Sequence, residues 1–441
     1  MDFDEALQYL LSLGHETLAI KLGLRNTQLL LHALDNPQHS FPAVQIAGTN
    51  GKGSTASFLD STCRCAGIKT GLYTSPHLES IRERIRIGGA EISRDDFARY
   101  ASRVRAAANH LLSSGTIEAL PTFFEHVTAI ALVAFREASV ELAILETGLG
   151  GRLDATTAVG AEVCAITNIS FDHEEYLGNT IQSIAAEKAA IIHQGSTAVI
   201  APQTAEVLAV ILAHCKEVGV TPLLEQSAYT VEQVSNDGKC RVTFKTTNNT
   251  YEKIWLGLRG RHQIENAGLA IRLSEVLRER GFGITGRAII EGLETARHFG
   301  RLEMIGQTPV FLLDGAHNPS GAKVLGQFLK EFGRKPLTVV FGAMRDKRIA
   351  EVAQYIFPLA DELIITTIDS PRTASIDTLV SVAENVSGPK VSTTTASDKA
   401  LRLALERTPK NGMICITGSL YLIGETRKLI HESENTLQRT T

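Results

Sequence analysis

Residues 48–54 read Gly-Thr-Asn-Gly-Lys-Gly-Ser and follow directly on the apolar run 44–47. Glycines let backbone N–H groups turn toward a polyphosphate, and a helix starting there adds the positive end of its dipole. Thr49, Asn50, Gly51, Lys52, Gly53 and Ser54 therefore read as a phosphate cradle, with Lys52 on the β/γ-phosphates and Ser54 offering its hydroxyl to Mg²⁺. The match departs from the usual strand-loop-helix pattern, because Gly53 separates the lysine from the hydroxyl residue. Further along, Thr74-Ser75-Pro76-His77 places Ser75 either as a metal-ligating hydroxyl or as an ordinary turn former. The run 142–146 ends in Glu146, followed by Gly148, Gly150 and Gly151. A carboxylate ending an apolar strand can hold Mg²⁺ in line with a phosphate loop, or it can simply cap a helix. Asp172-His173 puts an imidazole near the same edge, and Lys188 by itself is an ordinary helix-surface lysine.

These residues need a scaffold that brings strand ends together. The segments 70–74, 142–146, 163–169 and 197–200 read as buried parallel strands alternating with helical stretches, and this predicts a doubly wound sheet. Two amphipathic helices are expected ahead of the loop, at 3–13 and 26–34. Between 221 and 258 short alternating runs with turn signals at Asn236-Asp237-Gly238 and Asn248-Asn249 predict a small antiparallel patch. A helix from 262 to about 280 follows. Strands at 310–313, 337–341, 362–366 and 413–417 then form a second α/β alternation. The expected fold is thus an α/β protein with a phosphate-loop domain over 1–298 and a Rossmann-like C-terminal domain over 299–441.

A chain of 441 residues is long enough for two domains, and its formal net charge of −4 gives no basic stripe for nucleic acid. Six scattered cysteines, an acidic start and the lack of an apolar run near ~20 residues predict a soluble, cytoplasmic, non-membrane protein.

The ordered set G-T-N-G-K-G-S, T-S-P-H-L, E-T-G-L-G-G-R-L-D-A-T, D-H, E-K-A, G-R-H-Q-I-E-N-A, G-R-L-E, L-D-G-A-H-N-P and I-T-G-S-L-Y resembles bacterial folylpolyglutamate synthase/dihydrofolate synthase, of the Mur ligase superfamily, over nearly the whole chain. The resemblance implies an ATP-dependent ligase that phosphorylates a pteroate or folate carboxylate and lets the amino group of L-glutamate displace phosphate. It implies two Mg²⁺ sites, one at Ser54 and Glu146 and one at Ser75, Glu146 and His173, and potassium as a further cation. It also implies a carbamylated Lys188 acting with Lys52 and His317 in catalysis. Asn266, Arg301 and Asp314 match ATP contacts. Thr122, Phe124, Leu153, Asp154 and Ala155 match a pterin pocket, with the Asp154 carboxylate meeting the N–H donors of dihydropteroate or a reduced folate. Ser419 matches a glutamate site, and a monomer is expected. Gly23-Leu24-Arg25-Asn26 stands where many relatives read Gly-Leu-Glu-Arg, which bears on substrate preference. A bifunctional enzyme acting on dihydropteroate and on reduced folates is expected, with folylpolyglutamate synthesis alone as the alternative. Two further rivals are a peptidoglycan-precursor ligase, disfavoured by the short stretch before Gly48, and a non-catalytic nucleotide-binding protein, disfavoured because Lys52, Glu146, His173 and Lys188 are all kept.

Overall fold

A computed structural model describes residues 1–14, 23–306, 308–386 and 388–438. The largest sheet comprises β1 (Ala43–Ala47), β2 (Thr70–Tyr73), β3 (Ile85–Ile87), β4 (Ala90–Glu91), β5 (Leu142–Glu146), β6 (Val163–Ile166), β7 (Thr197–Ile200) and β8 (Leu223–Leu224), in the order β4-β3-β2-β5-β1-β6-β7-β8. Pairing is parallel from β2 through β8, and β3 and β4 add an antiparallel edge. Along the chain come helices α1 (Phe3–Ser12), α2 (Arg25–Ala33), α3 (Lys52–Cys65), α4 (Arg94–Ser113), α5 (Phe123–Glu137), α6 (Glu174–Leu177), α7 (Ile181–Ala189), α8 (Ala205–Glu217) and α9 (Gln263–Glu279).

Helices on both faces explain why β5 and β6 read as apolar runs, and β1 as one broken only by Gln45. Val44 and Ile46 share a core with Phe58 and Leu59 of α3 and Leu269 and Leu273 of α9, while Ala43 and Leu145 join Leu10, Leu30, Phe97 and Val127 from α1, α2, α4 and α5. Each fully buried Leu, Ile or Phe contributes about 1.5–3 kcal/mol. The sheet fixes β1 between β5 and β6, so the loops after these three strands open at one edge, the place where open α/β sheets bind ligands.

A second, three-stranded antiparallel sheet contains β9 (Ala228–Val234), β10 (Cys240–Lys245) and β11 (Thr250–Trp255). Its Val242, Phe244, Tyr251 and Ile254 pack into the same core as α9. The third sheet holds β12 (Glu303–Ile305), β13 (Val310–Asp314), β14 (Leu337–Phe341), β15 (Glu362–Thr366), β16 (Lys390–Thr394) and β17 (Met413–Thr417) in the order β12-β13-β17-β14-β15-β16. Only β12 is antiparallel to its neighbour. Among the described residues no helix is long and apolar enough to cross a membrane.

Three local expectations change. The strand expected over 163–169 ends at Ile166, because the Asn168 carbonyl turns to accept the N–H groups of Thr49 and Asn50 at 2.8 and 3.2 Å. Leu223 and Leu224 extend the parallel sheet, so the antiparallel patch begins at Ala228. Strands β3, β4, β12 and β16 were not legible; β16, Lys-Val-Ser-Thr-Thr, has no buried residue to create an apolar signal.

Candidate active site

The phosphate loop connects β1 to α3, and its glycines are required by space as well as by backbone. A Cβ on Gly48 would lie 1.8 Å from the Thr167 hydroxyl, and one on Gly51, at φ +92°, 2.3 Å from the Asn266 amide oxygen. Gly51 caps α3 without a side chain, which leaves the first N–H groups of that helix open to an anion. Thr49 and Asn50 are held to the β6 loop by the Thr49 hydroxyl on the Ser170 carbonyl and the Asn50 amide on the Ser170 hydroxyl. Lys52 folds back to donate to the Gly48 and Thr49 carbonyls at 3.1 and 3.2 Å. Asn266, on α9, thus lies against this loop.

Glu146 ends β5 buried, and its carboxylate accepts the Ser75 N–H at 3.1 Å. The same Oε2 lies 3.4 Å from where a Cβ on Gly53 would stand, so the first turn of α3, which carries Ser54, and the loop carrying Ser75 converge on this one acid. Burial raises the Glu146 carboxyl above its usual range, opposed by Lys52, the Ser75 N–H, Arg301 and Arg84. His298 faces the same side of Gly53, with Nε2 2.7 Å from that Cβ position and Nδ1 3.3 Å from the Ser57 hydroxyl. Burial and then the Arg301 and Arg86 charges push this imidazole down to about 3. Arg301 approaches Gly315 closely, 2.4 Å from its Cβ position, and so stands where the first and third sheets meet.

Lys188 comes from α7 and is buried, with Nζ 2.8 Å from the Gly48 carbonyl. The Nζ atoms of Lys52 and Lys188 thus share one carbonyl of the phosphate loop. Burial, then the Lys52 charge, brings the Lys188 amine down to about 7 against the opposing pull of Asp172 and Asp154. The glycine loop after Glu146 lies on this helix: a Cβ on Gly151 would be 2.7 Å from the Glu187 carbonyl and 3.1 Å from that of Lys188.

The five residues matched to a pterin pocket are arranged around that loop. Phe124 stacks over Gly148, whose Cβ position is 2.5 Å from the ring, and lies beside Tyr73 with ring centroids 5.9 Å apart. Thr122 caps α5 in a reciprocal box with Glu125, and Glu125 also accepts the Thr27 hydroxyl from α2 at 2.8 Å. Ala155 is buried and Leu153 half-buried beside Asp154. The direct pairing expected between Asp154 and a pterin is corrected. Oδ2 accepts Gly148 N–H and Leu149 N–H at 2.8 and 2.9 Å, while Oδ1 accepts Thr156 N–H and the Thr156 hydroxyl at 3.0 and 2.5 Å. A carboxylate offers about four lone-pair positions, and all four are used inside the loop. Asp154 thus braces the loop that follows Glu146 from within.

From the third sheet, Asp314 is buried between Arg301 and the linker, accepting the Leu302 and Ala316 N–H groups at 2.9 and 3.0 Å. His317 sets Nδ1 against the Gly315 carbonyl at 2.8 Å and Nε2 against Asp172 at 3.3 Å. Asp172 also accepts from Asn318 at 3.1 Å and Lys347 at 2.7 Å, and Asn318 donates to Asn50 at 3.1 Å. Burial alone would raise the Asp172 carboxyl. The His317 hydrogen bond and the His173, His317 and Lys347 charges outweigh that and hold it well below the carboxylate range. Beside it, Arg348 forms two 2.7 Å bonds to Glu174. Ser419 is buried at the start of the last helix, where its hydroxyl accepts the Tyr421 N–H at 3.2 Å; it does not reach the other site residues through any contact in the described structure.

Among the described residues no three His, Cys, Asp or Glu groups gather as a metal cluster. The expected donors are of a different kind, hydroxyls on Ser54 and Ser75, the Glu146 carboxylate and His173, whose imidazole burial drives down to about 3 and so keeps neutral at pH 7. One carboxylate with hydroxyls fits Mg²⁺, which keeps waters and takes phosphate oxygens for the remainder. Sequence reasoning missed His298, Asn318 and Lys347 as site residues and quoted Asp172 without giving it a role. Asn318 was within reach, since it lies in the quoted His-Asn-Pro motif; His298 and Lys347 have no local signal.

Residues 46–274 match the Mur ligase middle domain and residues 300–420 the Mur ligase, glutamate ligase domain. A Halobacterium salinarum protein named probable bifunctional folylpolyglutamate synthase/dihydropteroate synthase is 36% identical over 97% of this chain and 51% of its own length, so the chain spans about half of that relative. The Bacillus subtilis dihydrofolate synthase/folylpolyglutamate synthase is 34% identical, over 94% of this chain and 96% of the relative. A solved structure of Mycobacterium tuberculosis folylpolyglutamate synthase complexed with ADP superposes with a TM-score of 0.89 at 32% identity, over 97% of this chain and 99% of that one.

Proposed function

Because the chain belongs to the folylpolyglutamate synthase/dihydrofolate synthase family of Mur ligases, we propose that it joins L-glutamate to dihydropteroate and to reduced folates at the expense of ATP. The observation that carries this reading is the meeting at Gly48: its carbonyl receives both the phosphate-loop lysine, Lys52, and the buried near-neutral Lys188. This supports the reading, because an amine suited to carbamylation lies against a carbonyl of the proposed polyphosphate cradle, and only a neutral amine adds carbon dioxide.

In this mechanism the open N–H groups of α3 hold the ATP phosphates, and Lys52 leaves the Gly48 and Thr49 carbonyls for the β/γ-phosphates. Asn266 and Arg301 orient the nucleotide, with Asp314 fixing the linker that carries Arg301. The γ-phosphoryl group passes to the pteroate or folyl carboxylate, giving an acyl phosphate and ADP. The glutamate amine then attacks that carbonyl carbon, the C–O bond to phosphate breaks, and an amide forms with loss of one proton. Ser54, Ser75, Glu146 and His173 would hold Mg²⁺ in two sites, neutralising charge on the phosphates and the attacked carboxylate. His317, clamped to Asp172, would close with Asp314 over ATP and the forming acyl phosphate, while Ser419 as a glutamate-site residue and potassium rest on the family match alone. Carbamylated Lys188 would present an acid group beside the cradle.

The boundary at 298/299 is part of the proposal: the helix Gly286–Thr295 packs on α3, whereas Glu303 already enters the third sheet. One chain carries all of the proposed residues, which supports a monomer. Six unpaired cysteines support a reducing cytoplasm. The deciding assay follows phosphate release from ATP with dihydropteroate and with tetrahydrofolate in parallel. Release that requires glutamate with both acids is expected; release without either acid, or glutamylation of only one, would remove the corresponding half of the proposal.

A further inference from the structure

A cavity of about 360 Å³ lies away from the cradle, at the carboxyl ends of β7 and β8, roofed by the second sheet and floored by α9. This is within the range of small-molecule sites. Ile200, Leu208, Leu224, Phe244 and Ile264 supply its apolar wall, and Tyr229, half-exposed, stands at its rim. Glu225 lines it, only 6% exposed: Oε1 accepts the Ser227 N–H at 2.8 Å, while the buried Oε2 has no hydrogen-bond partner among the described residues. Leaving such an oxygen unpaired is costly, and more so for a charged group. Arg272 is bonded to Glu275 at 3.2 Å and makes no hydrogen bond to Glu225 among the described residues, although its charge acts on the Glu225 carboxyl from a distance. At Gly268 a Cβ would stand 3.2 Å from Glu225 Oε1, so the glycine makes room for the acid. Every ionisable acid or base lining the space, apart from the Tyr229 phenol, is a carboxylate, Glu225 or Glu265. The lining thus selects N–H donors and positive charge, and rejects phosphates and the acidic tails of the proposed substrates.

The same cavity touches the phosphate loop through one residue. Gln203, in its wall, donates to the Thr167 carbonyl at 2.8 Å and accepts the Ile169 N–H at 3.2 Å. Between them, Asn168 holds the Thr49 and Asn50 N–H groups. We propose that this cavity binds a small organic cation, an amine or amidinium on a flat or aliphatic body, and that its occupancy adjusts the phosphate loop through Gln203.

The probe is benzamidinium, with benzamide and benzoate as neutral and anionic matches of the same shape, added to the full chain and followed by ligand-observed NMR. Benzamidinium alone should bind; Glu225→Gln should weaken it about tenfold, the loss of one charge-assisted bond, and Leu208→Trp, which fills the space, should abolish it. Saturating benzamidinium should also shift the ATP KM of the wild type and leave that of Leu208→Trp unmoved. Circular dichroism verifies that each variant folds, and either variant alone decides the question. The proposal falls if benzamidinium does not bind, if benzoate binds equally well, if a folded variant binds as tightly as wild type, or if occupancy leaves the ATP KM unchanged.

Discussion

Lys52 and Lys188 meet on one carbonyl, yet their environments assign them different chemistry. Lys52 is half-buried at the mouth of α3 and can swing to a phosphate; Lys52→Ala should lower turnover roughly 10² to 10³-fold, the cost of one preorganised donor, with the thermal midpoint little changed. Lys188 is enclosed, and its amine is brought from 10.5 down to about 7. It is therefore largely neutral at about pH 8, and a carbamate mass increment should be present there and vanish as the pH falls below about 7. The linkage has the matching sign. Between about 7 and 10.5 the unfolded chain holds the proton that the folded chain has released, so this group's contribution raises stability with increasing pH. Lys188→Ala should lose activity and regain part of it with an added short-chain carboxylic acid; an unmodified lysine and a fully active variant would remove the carbamate. Asp154 makes the third case. Since its four acceptor positions serve Gly148, Leu149 and Thr156, Asp154→Asn should destabilise by about 1–3 kcal/mol through donors left unpaired. It should raise the dihydropteroate KM while leaving that for ATP in place, as measured by thermal melts and steady-state kinetics.

Elements transmit these demands through close backbone approach. The loop after β5 is pinned from three directions: Asp154 from within, the α7 carbonyls against Gly151, and the Phe124 ring over Gly148. At β1 the buried Gln45 reaches across to the Thr156 and Thr157 hydroxyls at 2.9 and 2.8 Å, tying the strand below the phosphate loop to the turn that follows Asp154. Gly148→Ala would set a methyl 2.5 Å from the Phe124 ring, a side chain able to turn aside. The expected outcome is a folded protein whose dihydropteroate KM rises with the ATP KM unmoved; an unchanged pterin KM would show that this ring does not border the substrate.

At the scale of the whole molecule, Asp172 of the first sheet's loops is clasped by His317, Asn318 and Lys347 from the other side of the junction, and Arg348 clasps Glu174 beside it. The proposed site is thus made from both sides, and closure over it would keep water from the acyl phosphate. Small-angle scattering should show a smaller radius with a non-hydrolysable ATP analogue plus folate than without, and an identical radius at saturation would count against closure. The clasp also has a pH signature. A carboxyl held well below 3.8 stabilises the folded state above about pH 4 and loses that contribution as acid titrates it through its folded value. Lys347→Met should therefore lower the thermal midpoint at pH ~7 more than at pH ~3.

The sequence by itself determined the order of chemistry along the chain. Apolar runs ending in Gly48, Ser75, Glu146 and the Asp172-His173 turn were legible as parallel strands because burial on both faces leaves no polar alternation, and strand ends of one sheet must share an edge. The motif set carried the family. Tertiary structure alone decided what those side chains touch. Asp154 could be seen as a carboxylate in a glycine loop, but which donors saturate it depends on how that loop folds back on itself. His298 reaches Ser57 across 241 positions and Lys347 reaches Asp172 across 175, separations at which no periodicity or spacing survives. The unpaired oxygen of Glu225 is of the same kind: a missing partner is a property of packed surroundings, and a linear sequence has none.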